Sequence, residues 1–490
     1  MTDVNEIFEL DGVMSQKDKE LVTKAYEFAK KAHEGTLRKS GDPYFIHVFE
    51  TSKTLARIGM DAKTIAAGLL HDTLEDTTVT EEEMEKEFGI EIVKLVNGVT
   101  KLGKVKYRGR ERHVESLRKF FMAMADDLRI LIIKLADRLH NISTIEHLPE
   151  EKRKRIAIET IEIHARLADR IGMGMLKGDL EDYAFPYAYP KEYAEVVKLL
   201  EIRKATNEKE LMDVTNILSK ELTEQKIKIF EIDQRVKHKY SLWKKLERYN
   251  MDIDKIYDII AIRVVVGTIG ECYHTLGIIH KLWNPLPGRI KDYIAVPKPN
   301  GYRSLHTTIF TGNGGILEIQ IRTQEMHAEA AYGIAAHFVY KEHGIKNKKK
   351  NAEPVEKKLE WIDQLKELQK VVAEPAKFLE HLKTDFFRDR IFIFTPKGDV
   401  VDLPEDSGTI DFAFAIHSDI GFHVSGAKIN GKLSPLSTKL KNGDIVEIIV
   451  SKNSHPASKW LDYTKTSLAK RHIRSYLEEN SLYNKFFGKK

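Results

Sequence analysis

Two blocks set far apart in the chain, His71-Asp72-Thr73-Leu74-Glu75-Asp76 and Lys134-Leu135-Ala136-Asp137-Arg138-Leu139-His140-Asn141, combine imidazoles and carboxylates as a metal-dependent phosphohydrolase would require. Read as helix, the first block sets His71 over Glu75 and Asp72 over Asp76, directly after the apolar run Ile65 to Leu70. Burying such groups without a cation is costly. Lys134, Asp137, Asn141 and Thr144 recur at steps of three or four and share one helical stripe, while Ile132, Leu135 and Leu139 supply the apolar side. His47, on a helix that Pro43 opens, adds the remaining imidazole. The set His47, His71, Asp72 and Asp137 suits Mn²⁺, Fe²⁺ or Zn²⁺. An open position on such an ion lowers the pKa of a bound water towards neutrality, with Glu75 and Asp76 as proton handlers. Arg38 and Lys39, in the loop Gly35 to Gly41, place two cations just before His47, as a phosphate substrate requires, although a solvated turn accounts for the same residues.

A second constellation follows. Strand alternation puts Glu318, Gln320 and Arg322 on one face and Leu317, Ile319 and Ile321 on the other, and Asp258 begins a second such strand. Two carboxylates on neighbouring strands are what Mg²⁺ on a nucleoside triphosphate asks for, and phosphoryl transfer then depends mostly on cations. Arg235, Lys237 and Lys245 offer these, as do Arg289 and Lys291; an amphipathic surface helix is the alternative for the first group. The turn Lys298-Pro299-Asn300-Gly301-Tyr302-Arg303-Ser304-Leu305-His306-Thr307 supplies a ring, an amide and cations suited to stacking and hydrogen-bonding a base.

The elements that must hold these residues divide the chain into several domains. At 490 residues it exceeds a single core. From about Lys17 to Tyr189 the apolar spacing is helical, and a break at Phe185 to Pro190 precedes more helix. The period changes to two over Asp258 to Val266 and Gly315 to Arg322, which reads as α/β. Residues 345–358 read as a solvated, lysine-rich linker, followed by an amphipathic helix from Trp361 to Leu382. Short strands return from Arg390 to Thr395 and end at Gly443 to Ile449, a small α+β module. Lys plus Arg is 79 against 74 for Asp plus Glu, too small an excess to argue for nucleic acid by itself. Cys272 is the only cysteine, which excludes an intrachain disulfide and a Cys-rich zinc module and points to the cytoplasm. No run of apolar residues is long enough to span a bilayer, so a soluble protein with no membrane partner is expected.

These residues, in this order, resemble the RelA/SpoT-homologue (p)ppGpp synthetase/hydrolases over essentially the whole chain. The motifs that carry the resemblance are His71 to Thr77, Leu135 to Asn141, Lys291 to Tyr302, Glu318 to Thr323 and Ala335-Ala336-His337. It implies an all-α HD-type hydrolase domain at 1–190, an α/β nucleotidyltransferase-like synthetase domain at 191–345, a linker and connecting helix at 346–385, a β-grasp TGS domain at 386–452 and the start of a helical region at 453–490. It further implies hydrolysis of (p)ppGpp to GDP or GTP plus pyrophosphate, with Mn²⁺ on His47, His71, Asp72 and Asp137. Glu75 and Asp76 would activate the water, and Arg38, Lys39, Asn141 and Thr144 would contact the substrate. For synthesis it implies pyrophosphate transfer from ATP to the 3′-hydroxyl of GDP or GTP, with Mg²⁺ on Asp258 and Glu318. Arg235, Lys237 and Lys245 match the ATP-phosphate contacts; Tyr302 matches the guanine-stacking tyrosine, with Lys298, Asn300 and His306 nearby. Lys291 lies in the basic Arg-x-Lys-Asp form of bifunctional members. His417 matches the TGS histidine that contacts deacylated tRNA in ribosome-associated relatives; a purely intramolecular regulatory module is the other reading.

Val48 stands where relatives usually carry proline, Ala331 where they carry glutamate and Arg303 where they carry glutamine. The zinc-finger and ACT-like regions of long members do not follow the TGS-like module, as in a shortened natural form or a piece of a longer protein. The expectation is a bifunctional enzyme with mutually exclusive states, coupled near Phe185 to Leu200, and an oligomer is compatible with it. A hydrolase-dominant member weakened by Ala331, and a tRNA- or ribosome-binding sensor with vestigial catalysis, are the alternatives.

Overall fold

The computed structural model describes residues 2–11, 14–100, 123–124, 126–298, 300–312, 315–336 and 390–487. They belong to two compact units, Met1–Glu367 and Leu368–Lys490. The expected linker, the helix from Trp361 to Leu382, Pro299 and His337 lie outside the described residues.

The first unit opens with helices α1 (Asn5–Asp11), α2 (Gln16–Ala32), α3 (Phe45–Arg57), α4 (Ala62–Leu70), α5 (Thr73–Asp76), α6 (Glu81–Thr100) and α7 (Leu128–Ser143). Their starts are chemically marked: Ser15, Asp61 and Asp127 each accept a backbone N–H of the first turn. Leu55 of α3, Ile65, Leu69 and Leu70 of α4, and Leu131, Ile132 and Leu135 of α7 are fully buried and form the core that these helices share. Helices α8 (Glu150–Glu159), α9 (Ala165–Arg170) and α10 (Gly174–Ala188) follow, a π-helical turn at Thr160–His164 joining the first two. Helix α10 runs through Pro186, and the break expected over Phe185 to Pro190 narrows to Tyr189 (φ −140°, ψ 68°). Pro190 then opens the long α11 (Pro190–Glu224), where its missing N–H costs nothing.

Next comes a mixed five-stranded sheet of order β1-β2-β5-β4-β3, from β1 (Ile229–Val236), β2 (Ile260–Val266), β3 (Lys291–Asp292), β4 (Leu305–Phe310) and β5 (Ile316–Thr323). Strands β2 and β5 run parallel with Ala261 opposite Glu318, and the other pairs are antiparallel. Helices α12 (Lys239–Arg248), α13 (Ile269–Leu282) and α14 (Gln324–Tyr332) complete this α/β domain. The basic segment is not one amphipathic surface helix: Arg235 is on β1, Lys237 lies in the turn and Lys245 is on α12.

In the second unit, β6 (Arg390–Phe394) pairs with β7 (Val400–Pro404), and β8 (Val424–Ile429), β9 (Lys432–Ser434) and β10 (Val446–Val450) form a sheet of order β10-β8-β9. Helix α15 (Thr409–Ile416) buries Phe412 against Ile393, Leu403, Ala427 and Val446, giving the β-grasp α+β module. Buried Asp411 accepts from the N–H groups of Gly408, Lys465 and Thr466 at 2.8 to 2.9 Å. That carboxylate fixes the start of the final helix, Ser467–Phe487, whose Ala469 and Ile473 join a core with Ile410, Phe414 and Trp460. Among the described residues no helix is long and apolar enough to cross a membrane.

The helical and α/β domains of the first unit are tied by backbone. Ile334 N–H donates to the Ile171 carbonyl at 2.9 Å, and Gly333 (φ +56°) packs against the backbone of Ile171, Gly172 and Met173, where a Cβ would collide. Gly333→Ala is expected to cost at least about 1–2 kcal/mol from the left-handed conformation alone, seen as a lower thermal-unfolding midpoint. An unchanged midpoint would refute this packing.

Candidate metal centre and nucleotide site

Helix α4 does not continue through the His-Asp block. It stops at Leu70, and Asp72 adopts φ −97°, ψ −3° before α5 begins. The continuous helix expected over His71 to Asp76 is therefore corrected. Neighbours in a helix point about 100° apart, and the kink instead lets both His71 and Asp72 face one pocket, 3.2 Å apart from Nε2 to Oδ2. Buried α3 delivers His47, whose Nε2 lies 3.2 Å from Asp137 Oδ1 and 3.5 Å from Asp72 Oδ2. Asp137 comes from α7, on the expected stripe. His47, His71 and Asp137 are all buried, with ligand atoms within 4.8 Å of one another.

The donor set fits a divalent cation. The Nδ1 of His71 lies 2.8 Å from the Gly68 carbonyl, so an N–H points there and Nε2 faces the pocket, 3.2 Å from Asp72 Oδ2, where a metal would displace its proton. The Nδ1 of His47 lies 2.9 Å from Nδ1 of His140. Burial, reinforced by His47 and Arg38, pulls the His140 pKa down to about 3, so its ring is neutral and accepts, which directs the Nε2 lone pair of His47 inward. Burial opposes a charge on His71, but Asp72 and Asp137 outweigh it and lift its pKa to about 9. Burial also opposes charge on Asp137, yet Lys134, at 2.6 Å, and His47 hold its carboxyl far below the usual range. The pocket thus favours positive charge. Tyr44 adds a hydroxyl bonded to Asp72 Oδ2 at 2.8 Å.

Arg38 reaches over this pocket, donating to Asn141 Oδ1 at 2.7 Å and Thr144 Oγ1 at 3.1 Å, so three of the expected substrate contacts meet. Asn141 also donates to Asp137. Lys39, Glu75 and Asp76 are exposed, the last two on α5 beside Asp72. Tyr44 and His140 are the residues sequence reasoning missed. His140 was legible, three residues from Asp137 on the same stripe; Tyr44 carried no signal.

In the α/β domain, Asp258 lies just before β2 rather than within it. Lys237 and Lys245 reach its two oxygens at 2.9 and 2.7 Å, and although burial opposes its charge they hold the carboxyl below its ordinary range. On adjacent β5, Glu318 accepts from Gln320 at 2.8 Å and faces His306 Nδ1 at 3.3 Å, while Arg235 donates to Gln320 Oε1 at 2.9 Å. Tyr302 bonds His306 Nε2 through its hydroxyl at 2.8 Å, and Lys298 Nζ sits 4.7 and 5.1 Å from the ring centres of Tyr293 and Tyr302. Asn300 Oδ1 accepts from Tyr302 N at 3.2 Å. Exposed Lys291 pairs with His306 across β3 and β4. Sequence gave no hint that α10 braces this site, but Asp182 there accepts from Tyr240 N at 3.0 Å and lies 3.2 Å from His238 Nδ1. His417, in the second unit, is exposed and caps the short helix Ser418–Phe422 through Nδ1, far along the chain from both sites.

Fold and site together define an HD-domain protein with a divalent-metal pocket, joined to a mixed-sheet domain with a charge-matched carboxylate cleft and to a β-grasp module. Residues 25–174 match the HD domain, 234–345 the region found in RelA/SpoT proteins and 391–450 the TGS domain. The chain belongs to the RelA/SpoT-homologue family. It is 45% identical over 466 residues to a GTP pyrophosphokinase of Myxococcus xanthus, covering 94% of this chain and 61% of that protein. It is 46% identical over 461 residues to a guanosine-3′,5′-bis(diphosphate) 3′-pyrophosphohydrolase of Aquifex aeolicus, covering 94% and 65%. The chain thus spans about three fifths of the length of these relatives.

His71→Ala is expected to abolish stoichiometric binding of a divalent ion, measured by elemental analysis after equilibration with the metal and desalting. Wild type should hold about one ion in this pocket; a fully loaded variant would refute the ligand set.

Proposed function

We propose that this chain is a bifunctional alarmone enzyme of the stringent response. It transfers pyrophosphate from ATP to the 3′-hydroxyl of GDP or GTP, giving (p)ppGpp and AMP, and hydrolyses (p)ppGpp to GDP or GTP and pyrophosphate. The observation that carries this reading is that one chain holds two separate, charge-matched sites, one built on imidazoles and carboxylates and one on carboxylates and lysines. The names of relatives at 45% and 46% identity, one for each activity, support it.

In the hydrolase half, residues 1–190, His47, His71, Asp72 and Asp137 hold the ion, taken as Mn²⁺, which when bound supplies a water of lowered pKa. Arg38, steered by Asn141 and Thr144, takes the phosphate, with exposed Lys39 beside it. Glu75 and Asp76, open to solvent next to Asp72, carry protons away. His140 stays neutral and keeps the His47 lone pair on the metal side. In the synthetase half, residues 191–345, Asp258 and Glu318 hold Mg²⁺, and Arg235, Lys237 and Lys245 neutralise the triphosphate. Tyr302 stacks on guanine, with Lys298, Asn300 and His306 around it and Lys291 nearby. The 3′-oxygen attacks the β-phosphorus, the bond to the α-phosphate oxygen breaks, and AMP leaves. Through His417 the TGS module, 386–452, would meet deacylated tRNA on the ribosome, in the cytoplasm.

Incubation with ATP, GDP and Mg²⁺ should give equal new peaks of ppGpp and AMP on anion exchange, and added ppGpp with Mn²⁺ should give GDP. Asp72→Ala should lose nearly all hydrolysis and keep synthesis, and Asp258→Ala should do the reverse; full hydrolysis in the first or full synthesis in the second would defeat the two-site reading, whereas loss of both in either variant would mean that it merely unfolds the protein. Burial pulls the Lys298 pKa down to about 8 despite Asp169. Its charge is therefore present below pH 8 and lost above it. The KM for GDP should rise between pH 7.5 and about 9, and Lys298→Arg should flatten that rise; a profile equally steep in both proteins would count against this role.

A further inference from the structure

The loop carrying Tyr302 is closed by short local bonds, Gly301 N to Lys298 O at 2.7 Å and Lys298 N to Tyr302 O at 3.1 Å, with Gly301 at φ +79°. Such bonds shape the turn without fixing its attitude to the rest of the domain. Two longer side-chain contacts join the Ser304 hydroxyl, which donates to the Ile321 carbonyl at 3.0 Å, in doing that. One is the Tyr302 hydroxyl on His306 of β4. The other comes from the next residue, Arg303, whose Nη2 donates to Glu329 Oε2 of α14 at 2.9 Å, with side chains only 18% and 9% exposed. Glu329 is itself well anchored. Its carbonyl accepts from Gly333 N at 2.8 Å, next to the bond from Ile334 to Ile171 of the helical domain. On the loop's other side a Cβ on Gly172 would meet the Asn300 carbonyl at 2.8 Å. The Tyr302 loop is therefore wedged between the end of the helical domain and an ion pair largely removed from water, in which either charge alone would be strongly disfavoured.

We propose that Arg303 and Glu329 are positioning residues for the guanosine acceptor: their ion pair sets the Tyr302 ring where it receives the base, and neither residue touches the nucleotide. The inference rests on the synthetase reading above. It turns two departures noted in the sequence into one device, since Arg303 finds its carboxylate at 329 although Ala331 offers none.

The test uses the full chain with ATP, GDP and Mg²⁺. Arg303→Met and Glu329→Gln should each raise the KM for GDP about tenfold with the KM for ATP and kcat little changed, while the thermal-unfolding midpoint falls because each leaves a buried charge unmatched. The double variant should be no worse than either single one, because both remove the same pair. Unmoved KM for GDP, additive losses in the double variant, or equal losses for ATP and GDP would each overturn the proposal. A wild-type chain that makes no AMP would defeat the synthetase reading and this inference with it, whereas an active wild type with unmoved variants would defeat the inference alone.

Discussion

A carboxylate withdrawn from water must be matched by positive charge close at hand, and this constraint organises the whole first unit. Asp137 has Lys134 beside it, Asp258 has two lysines and Glu329 has Arg303, while Glu318 and Asp182 lie at hydrogen-bond distance from the rings of His306 and His238. The pairs are not alike. Around Asp258 two lysines meet a single carboxylate and outnumber it. Around Asp72 and Asp137 the partners are imidazoles whose Nε2 atoms face inward, so the pocket favours a cation that can replace their protons and bond to nitrogen as well as oxygen.

The same constraint explains how two charged sites share a framework. Helix α10 packs on α7 and α8 at one side and on α12 and α14 at the other. Asp182 holds the first turn of α12, the helix that carries Lys245, while Ile171, just before α10, holds Ile334. A shift of α10 or its N-terminal approach would therefore be felt by both edges of the α/β site and by the helix that carries Asp137. The join expected over Phe185 to Leu200 touches the same helix, since the Tyr189 ring lies 4.7 Å from Trp243 and 6.4 Å from Tyr240 of α12, so α10 and the Tyr189 break converge on it.

Much of this was legible in the sequence because periodicity reports burial. The stripe Lys134, Asp137, Asn141 and Thr144 sits on α7 as spaced, and Glu318 and Gln320 line one side of β5. What failed was local. His71 to Asp76 has the composition of a helix, but a buried pocket that needs two adjacent side chains kinks it at Asp72, and tertiary demand overrides propensity. Likewise the run Arg235 to Lys245 left an amphipathic surface helix open as an alternative, whereas Arg235 lies in the β1–β2 ladder and only the part from Lys239 is helical. The partners Tyr44, His140 and Asp182 act through contacts that bring together residues up to 93 positions apart, which spacing along one element cannot reveal.

Residues read singly can also mislead about activity. Taken alone, Ala331 removes a polar group and Arg303 adds an unexplained charge, which together would suggest a damaged cleft. In three dimensions Arg303 is matched, because Glu329 on the same helix as Ala331 meets it at 2.9 Å. A buried guanidinium with no carboxylate would have had to displace the loop or draw in water; one with a carboxylate at the correct distance stiffens the loop instead. The sign of a departure from a family pattern is therefore set by its spatial partner, and at Arg303 that partner is Glu329.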